Sequence, residues 1–249
     1  MLQRQDETDS LTALPRRIRT DLLIVGATEL ELEWSASTKV RDLKARGRLN
    51  LEFLVTGVGE VSAAFALGSY LNDYAPALIL SVGVGGAFPS AGLAPGGVAV
   101  ATSELDEDWG VESSRGEVKG PLVVPRFISP SGEAVQGEFP VSTPHADIIA
   151  SLSEERYPTL KGPFLTTSTV TSTAERAEAL YRAHGAIVEN MEGAAVAHAA
   201  LISGAEFAEV KGISNLVGPR DLSSWKIDEA AQAAGWVATR FIEYLEESK

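Results

Sequence analysis

The sequence predicts an α/β fold, and three observations lead to this prediction. Apolar runs rich in β-branched residues alternate with helical patterns from about Asp21 to the C-terminus, as expected of a sheet covered by helices on both faces. Several of these runs end in glycine, serine or threonine, which are residues typical of strand ends and turns. With 249 residues, 45% of them hydrophobic, the chain can form one substantial core. We therefore expect a single domain over residues 21–249.

The predicted elements follow in order along the chain. Strands are expected at residues 21–25, 51–56, 77–82, 97–102, 164–169, 186–188 and 206–213. Helices are expected at residues 29–46, 61–74, 146–154, 174–184, 191–203 and 228–247. The proline- and glycine-containing stretch 125–144 is predicted to be a loop region. Residues 1–20 mix arginines with acidic residues and lack the apolar core of a secretory signal, so we predict a disordered extension.

Composition narrows the possible partners. A net charge of −13 repels phosphate backbones and anionic lipids, so nucleic acid and membrane surfaces are disfavoured and small molecules or protein subunits remain. No stretch approaches the ~20 apolar residues of a bilayer span. The absence of cysteine excludes disulfides and thiolate metal sites and is compatible with a reducing cytoplasm, where we expect the protein. The scattered histidines have no metal spacing, and neither a metal nor a cofactor is predicted.

Two glutamates stand where an apolar strand-like run gives way to a helix of small residues. Glu189 and Glu192 flank Asn190-Met191, and Gly193 opens the helical pattern. A carboxylate at such a junction is costly to bury without partners, and the vicinal hydroxyls of a sugar can donate two hydrogen bonds to it. Glu192 could instead have a purely structural role, as a first-turn glutamate favoured by the helix dipole.

Further motifs increase the weight of the ligand-binding hypothesis. Short glycine-rich or polar motifs occur in order at residues 24–31, 56–59, 81–87, 188–195 and 213–215. Their order resembles that of the purine nucleoside phosphorylase and methylthioadenosine nucleosidase superfamily. Within it, residues 215–221 most resemble the futalosine hydrolases, nucleosidases of an alternative menaquinone pathway. The resemblance implies a mixed, partly barrel-like central sheet with the site at the ends of its strands, in place of a doubly wound sheet. It also implies a homo-oligomer, a dimer or higher, with sites completed across an interface.

The resemblance assigns roles to three residues around the scissile N-glycosidic bond. Glu192 would bind the ribose and support its developing positive charge, and Met191 would lie against the sugar unless it is plain core. Asn215 would face the base, although an asparagine before a turn can simply bind its own backbone. Because its amide offers both donor and acceptor groups where adenine-specific relatives carry Asp, Asn215 favours hypoxanthine over adenine.

The glutamate that holds the attacking water is expected in the segment after the first strand. Glu31 is the first candidate and Glu29 the second, while an ungapped comparison places Leu30 at the catalytic position. Surface glutamates at a helix start are common, so a structural role is open for both. A non-catalytic nucleoside-binding module that has lost its base is therefore a competing function.

The nucleophile can be inferred from missing residues. Phosphorylases of this superfamily hold phosphate with arginines near the glycine-rich loops, but residues 26–34 and 81–97 contain no Lys or Arg, and residues 56–66 contain none either. Water is the expected nucleophile. The missing arginines and Asn215 together oppose two further functions, those of a phosphorylase and of a nucleosidase acting on methylthioadenosine or S-adenosylhomocysteine.

The remaining candidate residues line or extend the site. Val84 and Gly85 are given a lining role, although close strand packing explains such glycines equally well. No aromatic residue occurs at residues 169–172, where the family usually supplies the ring that stacks on the base. Arg220, near Trp225 and Lys226, could bind the carboxylate of the carboxyphenyl arm of futalosine. In a structural role, Arg220 would instead pair with Asp221 or cap a helix.

Overall fold

A computed structural model describes residues 17–112, 119–120, 122 and 124–249. Most of the predicted N-terminal extension, residues 1–16, lies outside the described residues. The first strand already begins at Ile18, so residues 18–20 belong to the sheet rather than to the extension, and they pair with a neighbouring strand. No helix in the described part of the chain is long and apolar enough to cross a membrane.

Twelve strands and seven α-helices are present in the described residues. The strands are β1 Ile18–Gly26, β2 Leu51–Val55, β3 Tyr74–Ala87, β4 Val98–Asp106, β5 Val111–Glu112, β6 Lys119–Gly120, β7 Phe127–Ile128, β8 Ala134–Val135, β9 Glu138–Pro140, β10 Thr159–Thr166, β11 Val188–Asn190 and β12 Glu206–Leu216. The helices are α1 Glu29–Leu32, α2 Thr38–Arg46, α3 Glu60–Asp73, α4 Thr143–Glu154, α5 Ala174–His184, α6 Gly193–Ser203 and α7 Ile227–Glu247.

Five strands of the central sheet close into a ring. The order is β11, β10, β4, β12 and β3, and β11 returns to pair with β3. Two of these pairings, β12 with β4 and β11 with β3, are antiparallel, and the other three are parallel. β1 and β2 extend the sheet in parallel from β3, and β9 pairs with β4. The predicted α/β fold with a mixed, partly barrel-like sheet is confirmed.

The hydrophobic core lies between this sheet and its covering helices. Leu22–Val25 of β1 are buried, as are the inward faces of β3, β12 and α7. Helix α7 packs so closely on β12 that any side chain at Gly212 would collide with the backbone of Ala230. Burial of this apolar surface stabilises the fold by about 25 cal/mol per Å².

The helix predicted over residues 29–46 is in fact interrupted. α1 ends at Leu32, a turn of 3₁₀-helix follows at Glu33–Ala36, and Ser37 caps the start of α2, accepting a hydrogen bond from the Val40 amide at 3.4 Å. Ser37 favours a cap over a helix interior because its hydroxyl binds nearby backbone. The break leaves α1 as a single turn directed at the sheet.

The predicted strands differ most from the structure at their polar ends. β3 continues through the glycines to Ala87, β4 runs on to Asp106, β11 is shifted onto Glu189 and Asn190, and β12 extends to Leu216. The predicted 125–144 loop contains β7, β8 and β9 and the start of α4. Glycine and polar residues usually indicate the end of a strand, but in the closed ring their backbones are paired with neighbouring strands.

Candidate active site

Glu31 lies in the first turn of α1, and its carboxylate contacts strand β3 of the central sheet. It is 5% exposed, and its Oε1 accepts a hydrogen bond from the Val84 amide of β3 at 2.9 Å. Its Oε2 accepts from the amide and hydroxyl of Thr28 at 2.9 and 3.1 Å, completing a capping box. Glu31 therefore takes part in capping the start of α1, and the same carboxylate also accepts a hydrogen bond from β3.

The two residues before Glu31 are at the surface. Glu29 is exposed and Leu30 is 40% exposed. Because α1 is only one turn long, successive residues point in different directions, and Glu31 alone of the three is buried against the sheet. Leu30, which an ungapped comparison places at the catalytic position, thus lies at the surface.

Glu192 does not cap the helix that it precedes. It occupies the N-cap position of α6, but its side chain makes no cap hydrogen bond. Asn190 does so instead, because its Oδ1 accepts from the amides of Glu192 and Gly193 at 3.0 and 2.7 Å. The Glu192 carboxylate, in a residue 7% exposed, reaches across to accept from the Gly59 amide at 2.8 Å. The Glu192 side chain is therefore not a hydrogen-bonding cap of α6, and its contact lies on another part of the fold.

Burial opposes ionisation of the Glu192 carboxyl group. It raises the pKa of Glu192 above its usual range, while the ammonium group of Lys211 and the amide of Gly59 act in the opposite direction. Met191, the preceding residue in the chain, is half-buried.

Lys211, which the sequence analysis did not select, lies among the candidate site residues. It lies on β12 and is 2% exposed, and its Nζ is 3.4 Å from Glu209 Oε1. Nζ also lies 3.1 Å from the position of a Cβ at Gly83, where a side chain would collide with the Glu31 carboxylate as well. Burial alone would lower the pKa of Lys211, but the surrounding carboxylates raise it. These carboxylates belong to Glu209, Glu31, Glu192 and Glu104.

A second layer of carboxylates lies behind Lys211. Glu104 and Glu209 are fully buried; Glu104 Oε1 accepts from the Thr166 hydroxyl and from the Asn190 amide, and Glu209 Oε1 accepts from the Ser81 hydroxyl at 2.9 Å. Both carboxylates crowd Gly193, where a side chain would collide with them. Burial, and then the neighbouring charge of Glu209, raise the pKa of Glu104 well above its usual range. The absence of a side chain at Gly193 makes room for this pair.

Asn215 lies on β12, within the strand rather than after it. Its Oδ1 accepts from the Ser214 hydroxyl at 2.7 Å, and its Nδ2 donates to the Leu216 carbonyl at 3.0 Å. It is paired with Gly86, and its Nδ2 lies 3.1 Å from the position of a Cβ there. The Asn215 side chain therefore makes the hydrogen bonds to neighbouring residues that the sequence allowed. Its amide also lies over Gly86, which has no side chain.

Val84 and Gly85 have different roles on β3. Val84 is half-buried and its amide anchors Glu31. A side chain at Gly85 would collide with Val188 and approach the Glu189 carbonyl to 3.2 Å, so close strand packing accounts for this glycine.

Arg220 lies in the turn after β12 and is exposed. Its guanidinium group stacks on the Trp225 ring, 5.2 Å from the centroid. Asp221 is engaged elsewhere, because its carboxylate accepts from the Ser223 amide at 3.1 Å and caps a short 3₁₀ turn. Lys226 pairs with Glu229 at 3.3 Å.

The structure thus brings together Glu31, Glu192 and Lys211 near the glycine-rich part of β3, with Asn215 farther along β12. It leaves Glu29 at the surface. Within the described residues, no group of three or more acidic or histidine side chains is arranged to hold a metal ion. A cluster of carboxylates around one ammonium group suits the stabilisation of positive charge and the activation of a water molecule.

Comparisons with known proteins give a consistent result. The family model described as the phosphorylase superfamily matches residues 23–248. A futalosine hydrolase of Thermus thermophilus is 34% identical over 231 residues, covering 86% of this chain and 89% of the relative. One of Streptomyces coelicolor is 33% identical over 73% of this chain and 74% of its own length.

Solved structures share the fold. A methylthioadenosine/S-adenosylhomocysteine nucleosidase of Neisseria meningitidis, in complex with methylthio-immucillin-A, superposes with a TM-score of 0.73 at 17% identity, covering 90% of this chain and 99% of its own. The native futalosine hydrolase of Helicobacter pylori gives a TM-score of 0.71 at 18% identity, covering 90% and 98% of the two chains.

Proposed function

Because this chain belongs to the phosphorylase superfamily, we propose that it is a nucleosidase that hydrolyses the N-glycosidic bond of futalosine, releasing hypoxanthine and dehypoxanthine futalosine. The observation that carries the proposal is the similarity to futalosine hydrolases over most of both chains, at 34% identity for the T. thermophilus enzyme. The reaction would serve menaquinone biosynthesis. The solved structures, which are 17% and 18% identical to this chain, support the fold and not a substrate.

In the proposed reaction, Glu31 holds the water that attacks C1′. The carboxylate is fixed by Val84 and Thr28, and an ionised carboxylate retains lone pairs beyond those that accept these bonds. As the water oxygen bonds to C1′, Glu31 takes its proton, the C1′–N9 bond breaks and its electron pair leaves with the purine. The burial of Glu31 argues against a binding module that has lost its base.

Glu192 and Asn215 would stabilise the two ends of the breaking bond. Glu192 faces the ribose, where positive charge develops, and Met191 packs against the sugar. The Asn215 amide nitrogen, one of whose hydrogens is bonded to the Leu216 carbonyl, donates its other hydrogen to N7 of the 6-oxopurine as negative charge builds on the base. Val84 lines the site beside Glu31.

Water is favoured over phosphate by the charges around Lys211. This buried cation is surrounded by carboxylates, and the glycine-rich turns carry no further Lys or Arg. A phosphate dianion would therefore meet acidic surroundings with few charge-assisted donors.

Hypoxanthine release from futalosine is expected to proceed at the same rate with and without phosphate. The measurement incubates the protein with futalosine, inosine and methylthioadenosine in both buffers and identifies the released base and the sugar product. Formation of a ribose 1-phosphate would contradict hydrolysis, and cleavage of methylthioadenosine in preference to futalosine would contradict the proposed substrate.

Arg220 is proposed to bind the carboxylate of the carboxyphenyl arm, supported by its exposed guanidinium group on the Trp225 ring. Arg220→Ala is expected to lower kcat/KM for futalosine roughly 10-fold or more, since a charged hydrogen bond is worth about 1.5–3 kcal/mol. Inosine, which lacks the arm, should be cleaved at an unchanged rate. Lys226→Ala, in the same segment but paired with Glu229, is the matched control. Equal losses on both substrates would make Arg220 a structural residue.

We also propose that the chain forms a homo-oligomer, a dimer or higher, and that it is located in the cytoplasm. Helices α3 and α6 pack side by side and expose Val61, Phe65 and Ile202, which are 85%, 78% and 55% exposed. Apolar side chains grouped on one face are typical of subunit interfaces. Nucleic acid and membranes are not proposed as partners of so acidic a chain.

A further inference from the structure

Lys211 is a buried cation to which the proposed reaction assigns no step. It is 2% exposed, which is rare for a lysine because its ammonium group loses its hydration on burial. Its Nζ lies 3.4 Å from Glu209 Oε1, and the same oxygen accepts a hydrogen bond from the Ser81 hydroxyl at 2.9 Å. A buried ion pair seldom stabilises a fold more than apolar residues of similar size would. Stability alone therefore does not explain the position of Lys211.

The register of the sheet brings Lys211 beside Glu31. Lys211 lies opposite Gly83 of β3, and Glu209 lies opposite Ser81, two residues earlier on both strands. Because successive side chains of a strand point to opposite faces, Lys211 and Glu209 share one face of β12. The position that a Cβ at Gly83 would occupy lies 2.9 Å from Glu31 Cδ and 3.1 Å from Lys211 Nζ. The ammonium and carboxylate groups therefore share the space that a side chain at Gly83 would fill.

The charges that face Lys211 come from four elements of the fold. They belong to Glu209 on β12, Glu31 in α1, Glu192 at the start of α6 and Glu104 on β4. Burial acts to lower the pKa of Lys211, but these carboxylates together raise it above its usual range. Lys211 therefore stays charged across the neutral and acidic pH range.

The charge of Lys211 acts in turn on Glu192. Burial raises the pKa of Glu192, and the neighbouring charges of Glu31 and Glu209 raise it further. The Lys211 ammonium group opposes them, as does the Gly59 amide, which donates to the Glu192 carboxylate at 2.8 Å. Without the cation, burial and two like charges would favour the neutral acid. A neutral acid cannot support positive charge on the ribose as an anion does.

We propose that Lys211 is a positioning residue of the site, whose buried ammonium group, paired with Glu209 and placed beside Glu31 over Gly83, keeps the Glu192 carboxylate ionised next to the ribose. The inference rests on the proposed function and deepens it, because it names the group that maintains the charge needed near C1′. Lys211 acts through Glu192 and needs no contact with the substrate. Because the carboxylates that face Lys211 outnumber it, the surroundings of the ribose remain anionic.

The pH profiles of two variants test this role. Lys211→Met removes the charge and keeps a long apolar side chain, so the acidic limb, the pH below which kcat/KM for futalosine falls, should move up by about one unit or more. Glu209→Gln should lower that pH or leave it in place, because the Glu209 charge raises the pKa of Glu192. Damage to the fold would reduce both activities without separating the two limbs in this order. The proposal is overturned if the limb of Lys211→Met does not lie at a higher pH than those of the wild-type chain and of Glu209→Gln.

Two further variants complete the series. Lys44→Met removes an exposed cation that is paired with Glu52 at 3.3 Å, and it should leave the acidic limb unchanged. If Lys211→Met does not fold, the double variant Lys211→Met/Glu209→Gln removes both members of the buried ion pair. Its acidic limb should lie at a higher pH than that of Glu209→Gln alone, and equal limbs would overturn the proposal.

Carbon-13 NMR of a chain labelled at the glutamate side-chain carboxyl groups reads the charge of Glu192 without any substrate. The resonance that is missing from the Glu192→Gln spectrum identifies Glu192, and it should titrate at a higher pH in Lys211→Met than in the wild-type chain. Titration at the same pH in both chains would overturn the inference. If the titration moves as expected but the wild-type chain cleaves no futalosine, the proposed function fails while the effect of Lys211 on Glu192 stands.

Discussion

Glu31→Gln is expected to lower kcat for futalosine by about 10²–10⁴-fold, the usual contribution of a positioned general base. The glutamine cannot take the proton of the attacking water. Its amide group must also face one of two fixed donors, the amides of Val84 and Thr28, which the carboxylate satisfies in the native chain. The loss should appear in kcat rather than in KM, because the base acts in the transition state.

Glu29→Gln is the matched control for this prediction. Glu29 lies on the same helical turn but is exposed, so its replacement should leave kcat and the melting temperature unchanged. Melting curves of both variants would show whether Glu31→Gln loses activity or only stability. A folded Glu31→Gln protein with wild-type turnover would remove Glu31 from the mechanism, and a deficient Glu29→Gln protein would restore the second candidate.

Glu192→Gln is expected to reduce kcat/KM by on the order of 10²-fold or more, as is typical when one preorganised electrostatic contact is removed. The Gln side chain can still accept from the Gly59 amide through its carbonyl oxygen, so the shape is kept and the charge is lost. Unchanged turnover would return Glu192 to a structural role at the start of α6.

The pH profile provides a second readout for Glu192. Burial raises its pKa, so in the wild-type chain the carboxylate is protonated at a higher pH than an ordinary glutamate, and activity that needs the anion should fall there as the pH decreases. The variant has no such ionisation at this position. Its remaining activity should therefore lack this acidic limb.

The sequence allowed prediction of those parts of the candidate site that local patterns encode. Glu192, Met191 and Asn215 stand in short motifs at strand and helix ends, and the capping box of Glu31 is visible as Thr28 followed three residues later by Glu. Lys211 and Glu209 were missed because charged residues alternating along a strand usually indicate a solvated face. In the closed ring that face is interior, and the charges are tolerated because they compensate one another.

The same limitation explains the misplaced strand ends. Glycine at residues 83–86 and polar residues in β4 and β11 have no local preference for strands, and only pairing with distant strands makes them part of the sheet. Pairing of β11 with β3 joins segments about a hundred residues apart in the chain, so Glu189 and Gly86 could not be placed together from local periodicity.

The crowded carboxylates at Gly193 couple folding to proton uptake. Because burial and the neighbouring Glu209 raise the pKa of Glu104 well above its usual range, the folded chain binds a proton at this carboxyl at pH values where the unfolded chain has released it. Its contribution to the free energy of unfolding is complete below the ordinary pKa of glutamate and is lost as the pH rises through the raised value. An acidic protein of net charge −13 thus contains, at its centre, a group that favours the folded state more strongly as the solution becomes more acidic.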